Sequence, residues 1–325
     1  MQKVLITGGA GFIGAHVARR LLAEGVEVVC LDNFDPFYAE AIKRRNVDAC
    51  RAAARSPSAF ERVEGDFRDP ATCARGLADV DAVLHLGALA GVRPSLAQPA
   101  RYYDVNVVGT QVLLSALQQR GPDLPLIFAS SSSVYGGNEK IPFAEVDPVD
   151  HPVSPYAASK KAGEVICYTH HHLHGNPVTC LRFFTVYGPG QRPEMAIHAF
   201  ARRLLAGEAI PLFGDGTTRR DYTYVDDIVD GVLAALRRAD GYRIYNLGGS
   251  KTTELRSLLN ELEQAFGKAA RIERLPEQRG DVRQTWADTD LAAAELDFRP
   301  QVGLREGLRR FADWYLGERE AGRLG

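Results

Sequence analysis

A tyrosine and a lysine near the middle of the chain have the types and the spacing for acid–base chemistry. Tyr156 and Lys160 stand in the run Ser-Pro-Tyr-Ala-Ala-Ser-Lys-Lys, where Pro155 suits a first helical position and Ser154 an N-cap. Side chains four residues apart share one face of a helix. An ammonium group beside a phenol favours the phenolate and lowers the pKa of the phenol, which makes a usable general base. The same spacing also arises by chance, when a solvated lysine stands beside a half-buried tyrosine. The surrounding elements are therefore needed to distinguish a catalytic pair from a coincidental one.

Apolar strands alternate with helical patterns from the N-terminus to beyond this pair. Six short runs have the composition of buried strands: residues 3–7, 26–31, 62–66, 82–86, 126–129 and 178–183. The segment 94–119 is expected to contain one long helix, and residues 155–174 supply another. Continuous apolar strands that alternate with amphipathic helices are typical of a parallel sheet covered on both faces. We therefore predict an α/β fold with a Rossmann-type, doubly wound parallel sheet.

The first strand runs into a glycine turn that has the pattern of a dinucleotide-binding site. Gly8, Gly11 and Gly14 form G-x-x-G-x-x-G, a variant of the G-x-G-x-x-G fingerprint, between a strand and a helix. The glycines allow a tight turn and a close approach of the backbone to a pyrophosphate, which the helix N-terminus attracts. Asp32 ends the second strand, where a carboxylate binds both ribose hydroxyls and repels a 2′-phosphate, and Asn33 adds no cation. The pattern predicts NAD rather than NADP.

The regular alternation stops after Gly188-Pro189-Gly190. Further helical patterns lie near residues 195–206, 226–238, 252–267 and 304–316. We expect an NAD-binding domain over residues 1–181 and a smaller, mainly substrate-binding lobe over residues 182–325, placed over the carboxyl edge of the sheet. The segment at about residues 222–247 is expected to return to the main sheet.

Composition and charge are those of an ordinary globular protein. The net charge of −2 over 325 residues gives no general attraction to nucleic acid or to an anionic membrane. Five scattered cysteines without a C-x-x-C pair predict reduced thiols, and no signal peptide or membrane-spanning run is visible. His170 and His174 have chelating spacing, but no nearby carboxylate or cysteine completes a ligand set. We expect a cytoplasmic protein with no metal site, no nucleic-acid partner and no membrane partner.

Four longer motifs in the chain are more specific than the glycine turn or the tyrosine–lysine spacing. They are Thr-Gly-Gly-Ala-Gly-Phe-Ile-Gly at 7–14, Ala-Ser-Ser-Ser-Ser-Val-Tyr-Gly at 129–136, Tyr-Ala-Ala-Ser-Lys at 156–160 and Arg-Asp-Tyr at 220–222. With these motifs the chain resembles the extended short-chain dehydrogenase/reductase family, and within it the NAD-dependent nucleotide-sugar 4-epimerases. The UDP-glucuronate 4-epimerase branch is the most similar, on the runs at 32–38, 90–93, 182–189 and 191–196, although Glu194 stands where aspartate is more usual.

The resemblance implies a role for each matching residue. Tyr156 is the general base, and Lys160 lowers its pKa and binds the nicotinamide ribose. Ser131 hydrogen-bonds the reacting 4-hydroxyl, although the neighbouring serines at 130, 132 and 133 leave that assignment open by one place. Asn106 braces the site from the adjoining helix, and Arg220 binds phosphate.

The predicted contacts fall into two sets. The cofactor contacts are Gly8, Gly11, Phe12, Ile13, Gly14, Asp32, Asn33, Asp66, Phe67, Leu86, Ala88, Asn106, Ala129, Tyr156, Lys160 and Phe183. The substrate contacts are Arg93, Ser131, Tyr156, Thr185, Arg192, Met195, Arg220, Gln278 and Asp281. Around the last two, Arg279 and Arg283 replace prolines that are common in the glucuronate branch, which leaves the contacts of that loop open.

The implied reaction moves a hydride from sugar C4 to NAD while the base takes the 4-hydroxyl proton, and the hydride returns to the other face of the rotated 4-keto sugar. In the related 4,6-dehydratases an Asp-Glu pair follows the catalytic hydroxyl, whereas Ser132 and Ser133 stand there in this chain. Serine cannot replace a carboxylate in that elimination, so the pattern argues against a dehydratase.

A uronic acid substrate brings a carboxylate at C6, and burying it without a partner would cost several kcal/mol. Candidate partners are Thr185, Arg93 and Arg192. The 4-keto intermediate is also a β-keto acid, which loses carbon dioxide when the C5–carboxylate bond stands perpendicular to the carbonyl plane. We hypothesise that Thr185 and neighbouring backbone groups hold the carboxylate away from that alignment.

Four alternatives to the leading interpretation remain at this stage. The nearest is a UDP-glucose/UDP-galactose 4-epimerase, which shares everything except the carboxylate contacts, and the next is a UDP-glucuronate decarboxylase. A protein of another class would be an NAD-binding scaffold or sensor, or the pair at 156 and 160 would be coincidental. The resemblance also implies a homodimer formed through two long helices, at about 95–119 and 155–174.

Overall fold

The computed structural model of the protein describes residues 1–276 and 282–324. The strands within these residues are β1 (Lys3–Thr7), β2 (Glu27–Asp32), β3 (Phe60–Glu64), β4 (Ala82–His85), β5 (Leu126–Ser131), β6 (Val178–Phe183), β7 (Thr185–Tyr187), β8 (Ala209–Phe213), β9 (Arg219–Tyr224), β10 (Tyr242–Leu247), β11 (Thr252–Glu254) and β12 (Arg271–Leu275). The α-helices are α1 (Phe12–Ala23), α2 (Glu40–Ala53), α3 (Pro70–Gly76), α4 (Val92–Ala97), α5 (Pro99–Tyr103), α6 (Gly109–Gln118), α7 (Pro155–His174), α8 (Ala196–Ala206), α9 (Val225–Arg237), α10 (Leu255–Phe266), α11 (Asp290–Leu296) and α12 (Leu304–Glu320).

Seven parallel strands form the large sheet in the order β10-β6-β5-β4-β1-β2-β3. The strand order reverses between β1 and β4, and the chain segments that leave their carboxyl ends diverge there and open a crevice. The register of β5 and β6 pairs Ser131 with Phe183, so both strand ends reach this crevice together. The predicted α/β fold with a doubly wound parallel sheet is confirmed.

Both faces of the sheet are buried because its strands are apolar on both sides. In β1, Val4 and Ile6 belong to the hydrophobic core on one face, and Leu5 belongs to the core on the other. Every residue of β5 and β6 is buried. Continuous burial of this kind requires helices on both faces, which the alternating order of strands and helices supplies.

The segment 94–119 differs from the single long helix that its sequence pattern predicts. It is divided into α4, α5, a turn of π-helix at Asp104–Val108, and α6. The break falls at Gln98, whose φ and ψ are −134° and 54°, because Pro99 lacks an N–H and disfavours helical geometry in the residue before it. The π turn carries the buried Asn106.

Helix α7 begins and ends where the sequence predicts. Ser154 is its N-cap, with a side-chain oxygen that accepts from the Ala157 N–H, and Pro155 occupies the first position. The helix stops at Gly175, whose φ of 81° is the left-handed conformation that favours glycine. These two ends fix the position along the chain at which Tyr156 and Lys160 enter the helix.

The C-terminal part of the chain builds two small sheets, with strand orders β11-β9-β7 and β12-β8. Between β9 and β11 along the chain, helix α9 packs against α1, and β10 joins the edge of the large sheet beside β6. All five cysteines are buried and unpaired. In the described parts of the chain, no helix is long and apolar enough to cross a membrane.

The contact between α7 and β5 predicts a sharp effect on stability. A Cβ added at Gly163 of α7 would overlap the buried ring of Phe128 on β5. Overpacking of this kind costs about 1–3 kcal/mol, so Gly163→Ala should lower the free energy of unfolding by that amount in a urea titration. Gly317→Ala is the matched control, since no atom lies within 4 Å of an added Cβ there. The control should gain about 0.5–1 kcal/mol from higher helix propensity. Equal stability of the two variants would contradict this account of the packing.

Candidate active site

A cleft of about 390 Å³ lies at the carboxyl ends of β1, β4, β5 and β6, a size typical of small-ligand sites. The predicted site residues that line it are Gly8, Gly11, Phe12, Ile13, Gly14, Asp32, Asn33, Phe67, Leu86, Ala88, Ala129, Ser131, Tyr156, Lys160, Phe183, Thr185, Arg192 and Met195. Residues from Gly8 to Met195, distant from one another in the chain, therefore meet at one edge of the sheet.

The glycine turn after β1 has the shape of a phosphate cradle. Gly8 has a φ of 68°, and a Cβ at Gly14 would overlap the carbonyl oxygen of Gly8. Gly11 is the N-cap of α1 and has no capping side chain. The first N–H groups of a helix have no partner within the helix and lie at the positive end of its dipole, so α1 presents donors to an anion in the cleft. The absence of side chains at Gly8, Gly11 and Gly14 fits the pyrophosphate of NAD.

Asp32 is held at the end of β2 in one orientation. Its Oδ1 accepts from the Phe34 N–H at 2.8 Å and its Oδ2 accepts from the Ala10 N–H at 3.1 Å. Burial raises the pKa of Asp32, and the Lys43 ammonium at 3.8 Å and these two N–H groups oppose the rise. The carboxyl group is therefore oriented by the backbone before any ribose binds.

Lys43 and Tyr38 line the same end of the cleft, and sequence reasoning did not assign them. The Lys43 ammonium donates to the Asp35 carbonyl at 3.0 Å and lies 5.0 Å from the centre of the Tyr38 ring. Tyr38 belongs to the run at 32–38 that carries the family resemblance, so that motif could have indicated it. Lys43 lies on α2 among other charged residues, and nothing in the local pattern distinguishes it from a solvated lysine.

Tyr156 and Ser131 meet in the cleft. Burial raises the pKa of the Tyr156 phenol, and a hydrogen bond from Ser131 and the positive charge of Arg192 oppose that rise. The Lys160 ammonium instead donates to the Ala129 carbonyl at 2.7 Å, and burial lowers the pKa of Lys160 to about 8. The groups that lower the pKa of the phenol in this structure are therefore Ser131 and Arg192, whereas the sequence pattern had pointed to Lys160.

Successive side chains of β5 point to opposite faces of the sheet, so Ser130 and Ser131 have different partners. The Ser130 hydroxyl donates to Glu164 Oε1 at 2.6 Å, so it is engaged in a buried hydrogen bond. Ser131 lowers the pKa of the Tyr156 phenol, and its Oγ accepts from the Ser133 N–H at 3.1 Å. Ser131 is thus the serine that acts on the phenol, and all four serines of the run line the cleft.

Asn106 does not line the cleft and holds its wall from behind. Its side chain accepts from the Leu89 N–H at 2.8 Å and donates to the Leu89 carbonyl at 2.9 Å. It also donates to Ser159 Oγ at 2.9 Å, and Ser159 donates to the Tyr156 carbonyl at 2.8 Å. The π turn thus ties the first turn of α7 to the segment after β4.

The remaining predicted residues lie apart from the cleft wall. Asp66 accepts from Asn33 and Arg68 beside the cleft. The Arg93 guanidinium lies 5.0 Å from the centre of the Phe213 ring, and Arg220 donates to the Arg219 carbonyl at 2.9 Å. Gln278 and Asp281 lie outside the described residues.

On the substrate side, Arg192 forms an ion pair with Glu194 at 2.9 Å and lies 5.6 Å from the centre of the Phe37 ring. Among the described residues, no group of His, Cys, Asp and Glu is arranged to hold a metal ion. His170 Nε2 instead lies 3.0 Å from Asn176 Oδ1.

Comparison with known proteins agrees with this geometry. Residues 4–248 match the NAD dependent epimerase/dehydratase family. A probable UDP-glucuronate 4-epimerase from Rhizobium meliloti is 40% identical over 97% of both chains. The crystal structure of UDP-glucuronic acid 4-epimerase from Bacillus cereus, in complex with UDP-glucuronic acid and NAD, has a TM-score of 0.90 and 34% identity over 97% of this chain and 99% of that chain.

The similarity extends to an epimerase of a neutral sugar. UDP-glucose 4-epimerase from Thermotoga maritima, solved with UDP-glucose, has a TM-score of 0.88 and 32% identity over 97% of this chain and 99% of that chain. The family match covers the glycine turn, Asp32, Ser131, Tyr156 and Lys160. This chain belongs to the NAD dependent epimerase/dehydratase family and is an NAD-dependent enzyme.

Proposed function

We propose that this protein converts UDP-glucuronate to UDP-galacturonate by epimerisation at C4, through a transient 4-keto intermediate. The observation that carries the proposal is that Ser131, Tyr156 and Lys160 line one cleft with the glycine turn, Thr185 and Arg192. The relatives from Rhizobium meliloti and Bacillus cereus support the choice of sugar, since both carry the name of that activity.

The residues of this chain handle the proton. The Tyr156 phenolate accepts the proton of the 4-hydroxyl, and the Ser131 hydroxyl bonds the same oxygen and holds it in line with the phenol. The glycine turn and Asp32 would hold NAD, which would supply a reversible hydride acceptor for C4, so that there is no net oxidation. After the 4-keto sugar has rotated to present its other face, Tyr156 returns the proton to the C4 oxygen.

Positive charge is needed to ionise a half-buried phenol. Arg192 lowers the pKa of Tyr156 through its charge. Lys160, whose pKa is about 8, keeps its proton at neutral pH and adds a second cation one helical turn from Tyr156. Arg192 and Ser131 bring the pKa of the phenol towards the working pH, where a general base is most effective.

The epimerase proposal predicts both a product and a loss-of-function variant. Incubation with UDP-glucuronate should yield UDP-galacturonate, resolved by proton NMR, and a parallel incubation with UDP-glucose should show much less conversion. Tyr156→Phe should fold and bind NAD but turn over about 10²- to 10⁴-fold more slowly, the usual contribution of a general base. Tyr187→Phe, which alters a fully buried tyrosine, is the matched control and should keep its turnover.

Any other result of these incubations would contradict a different part of the proposal. Conversion of UDP-glucose alone would favour the UDP-glucose/UDP-galactose 4-epimerase alternative, for which the Thermotoga maritima structure is the supporting observation. Inactivity on both sugars would favour an NAD-binding scaffold or sensor. Full turnover by Tyr156→Phe would mean that another group is the base.

The C6 carboxylate of the substrate provides a second prediction. Thr185 and Arg192 line the cleft and are the proposed partners of this group, whereas Arg93 does not line it. Loss of the Thr185 hydroxyl would free the carboxylate to align with the 4-keto carbonyl, and C6 would leave as carbon dioxide. Thr185→Val should therefore form a pentose product from UDP-glucuronate, measured by mass spectrometry, whereas the exposed Thr169→Val should not. Absence of pentose together with unchanged turnover would end the idea.

We also propose a homodimer in the cytoplasm, where buried free thiols remain reduced. An apolar groove bounded by α3, α6 and α7 is lined by Leu77, Val107, Val108, Val112, Ala116 and Ile166. Val108 in this groove is 53% exposed, and Val165, next to Ile166 on α7, is 50% exposed. A second copy related by a twofold axis would place the same helices over this groove and cover it.

Light scattering at micromolar concentration tests the dimer. The wild type should have twice the chain mass, and Ile166→Asp should have the mass of one chain because it would bury a charge in the interface. Val146→Asp, at a residue that is 91% exposed elsewhere on the surface, should remain dimeric. A monomeric wild type would contradict the proposal.

A further inference from the structure

A buried ion pair lies directly behind the cleft and takes no part in the proposed proton transfer. Glu164 of α7 and Arg182 of β6 are each 1% exposed. They form two parallel hydrogen bonds, from Arg182 Nε to Glu164 Oε1 at 2.8 Å and from Arg182 Nη2 to Glu164 Oε2 at 2.9 Å. Glu164 lies one helical turn beyond Lys160, so the ion pair ties the catalytic helix to the strand that ends beside the substrate side of the cleft.

The hydrogen-bond directions beyond this pair follow from its chemistry. Arginine can only donate, so the Arg182 Nη1 bond of 3.0 Å to the Tyr135 hydroxyl makes that oxygen an acceptor. The Tyr135 O–H then donates to Asn246 Oδ1 at 2.7 Å. Asn246 Nδ2 in turn donates to the carbonyls of Phe143 at 2.8 Å and Asp288 at 3.0 Å. Every polar group in the series has a partner, and reversing one bond would leave another unmade.

Tyr135 connects this series to the catalytic serine through a single turn of 3₁₀ helix. The turn spans Ser132–Tyr135, and the Ser131 hydroxyl is its N-cap. Ser131 and Tyr135 therefore stand at the two ends of one short rigid element. A shift of the Tyr135 ring would move the cap, and with it the Ser131 hydroxyl, which lines the cleft together with Tyr156 and lowers its pKa.

The other end of the series lies in the C-terminal part of the chain. Phe143 pairs with the segment around Ala287, with bonds of 2.8 Å from the Phe143 N–H to the Trp286 carbonyl and 2.9 Å from the Asp288 N–H to the Phe143 carbonyl. The Tyr135 ring stacks on Phe143 with centroids 4.7 Å apart. It also packs near Phe184, which lines the cleft next to Thr185. The series thus connects the turn that follows Ser131 to the segment around Ala287 and to Phe184 on the substrate side of the cleft.

Stability alone gives little reason for such a series. Removing two charges from water costs several kcal/mol per ion, and apolar residues of similar volume are often as stable as a buried ion pair. What a fully bonded polar series adds is a unique geometry, because each bond constrains both distance and direction.

We propose that Tyr135 is a positioning residue, whose hydroxyl couples the C-terminal substrate side of the cleft to Ser131 and so sets the reacting geometry of Ser131 and Tyr156. The inference rests on the proposed epimerase function for its kinetic consequence, although the coupling itself concerns only this chain. The groups that face the Tyr156 phenol are Ser131 of β5, Arg192 from the segment before α8, and Tyr102 of α5, whose ring is 6.2 Å away. Lys160, on the same helix as Tyr156, lines the same cleft.

Tyr135→Phe tests the proposal, with Tyr245→Phe as the matched control. Both tyrosines are almost fully buried, at 3% and 4% exposure. Tyr135→Phe removes the bond donated to Asn246 and the bond accepted from Arg182, whereas Tyr245→Phe removes the bond donated to Glu295. Tyr245 precedes Asn246 on β10 but belongs to the core on the other face of the sheet. Tyr135→Phe should lose more stability, about 1–3 kcal/mol for each buried partner left unpaired, than Tyr245→Phe, because Glu295 is 45% exposed and water can replace the lost bond.

Only Tyr135→Phe should change catalysis. We expect kcat to fall about 10- to 100-fold, as a small misplacement of reacting groups does, while KM for the UDP-sugar changes by less than about threefold. Since the Ser131 hydrogen bond lowers the pKa of Tyr156, its loss should move the acid limb of the kcat profile to higher pH. Tyr245→Phe should keep the wild-type kcat and pH profile.

A titration of Tyr156 in the NAD-loaded protein separates this inference from the proposed function. Carbon-13 at the tyrosine ζ position reports each phenol by NMR, and Tyr156→Phe assigns the signal. Tyr135→Phe should raise the pKa of Tyr156, and Tyr245→Phe should not. A wild type that acts on neither sugar would end the proposed function, yet the titration would still test the coupling.

Equal kcat, pH profile and Tyr156 titration in the two variants would overturn the inference and leave Tyr135 with a structural role only. If Tyr135→Phe does not fold, the double variant Glu164→Leu with Arg182→Met provides the test, since replacing a buried pair by apolar residues is often neutral for stability. It removes the Arg182 donor to Tyr135 and should raise the pKa of Tyr156 in the same way. No change in that variant would also overturn the proposal.

Discussion

The site depends on one buried hydrogen bond, from the Lys160 ammonium to the Ala129 carbonyl near the end of β5. Lys160 is only 4% exposed, so its charge has little water to solvate it and needs this partner. The bond holds the first turns of α7 against the carboxyl edge of the sheet. The helix cap at Ser154 and the contact of Gly163 with Phe128 set the depth and the direction of the same helix. Tyr156 reaches the cleft because these three contacts agree.

Burial has opposite effects on the two titratable groups of the catalytic helix. It raises the pKa of Tyr156 and lowers the pKa of Lys160, so each neutral form is favoured over the charged form that catalysis requires. Ser131 and Arg192 act against this for the phenol. They come from β5 and from the segment before α8, which explains why a base on α7 needs groups from both parts of the chain.

The buried series from Glu164 through Arg182 and Tyr135 to Asn246 has the same character. Its members come from α7, from β6, from β10 and from the turn that follows β5, and they lie behind the cleft. Asn106 does comparable work on the other side, where it clamps Leu89 and Ser159. The wall of the cleft is thus held by polar bonds behind it, while the surfaces that face the ligands remain open.

The sequence by itself determined the features that depend on local chemistry. The glycine turn, Asp32, the alternation of strands and helices, both ends of α7 and the family motifs are readable because short-range geometry dictates them. Only the tertiary structure decided which features meet. It broke the helix predicted over 94–119 at Pro99, placed Arg93 beside Phe213 outside the cleft wall, brought Lys43 to Asp32, and made Ser131 and Arg192 the groups that lower the pKa of Tyr156. These outcomes depend on burial and on contacts between residues distant in the chain, which neither spacing nor composition encodes.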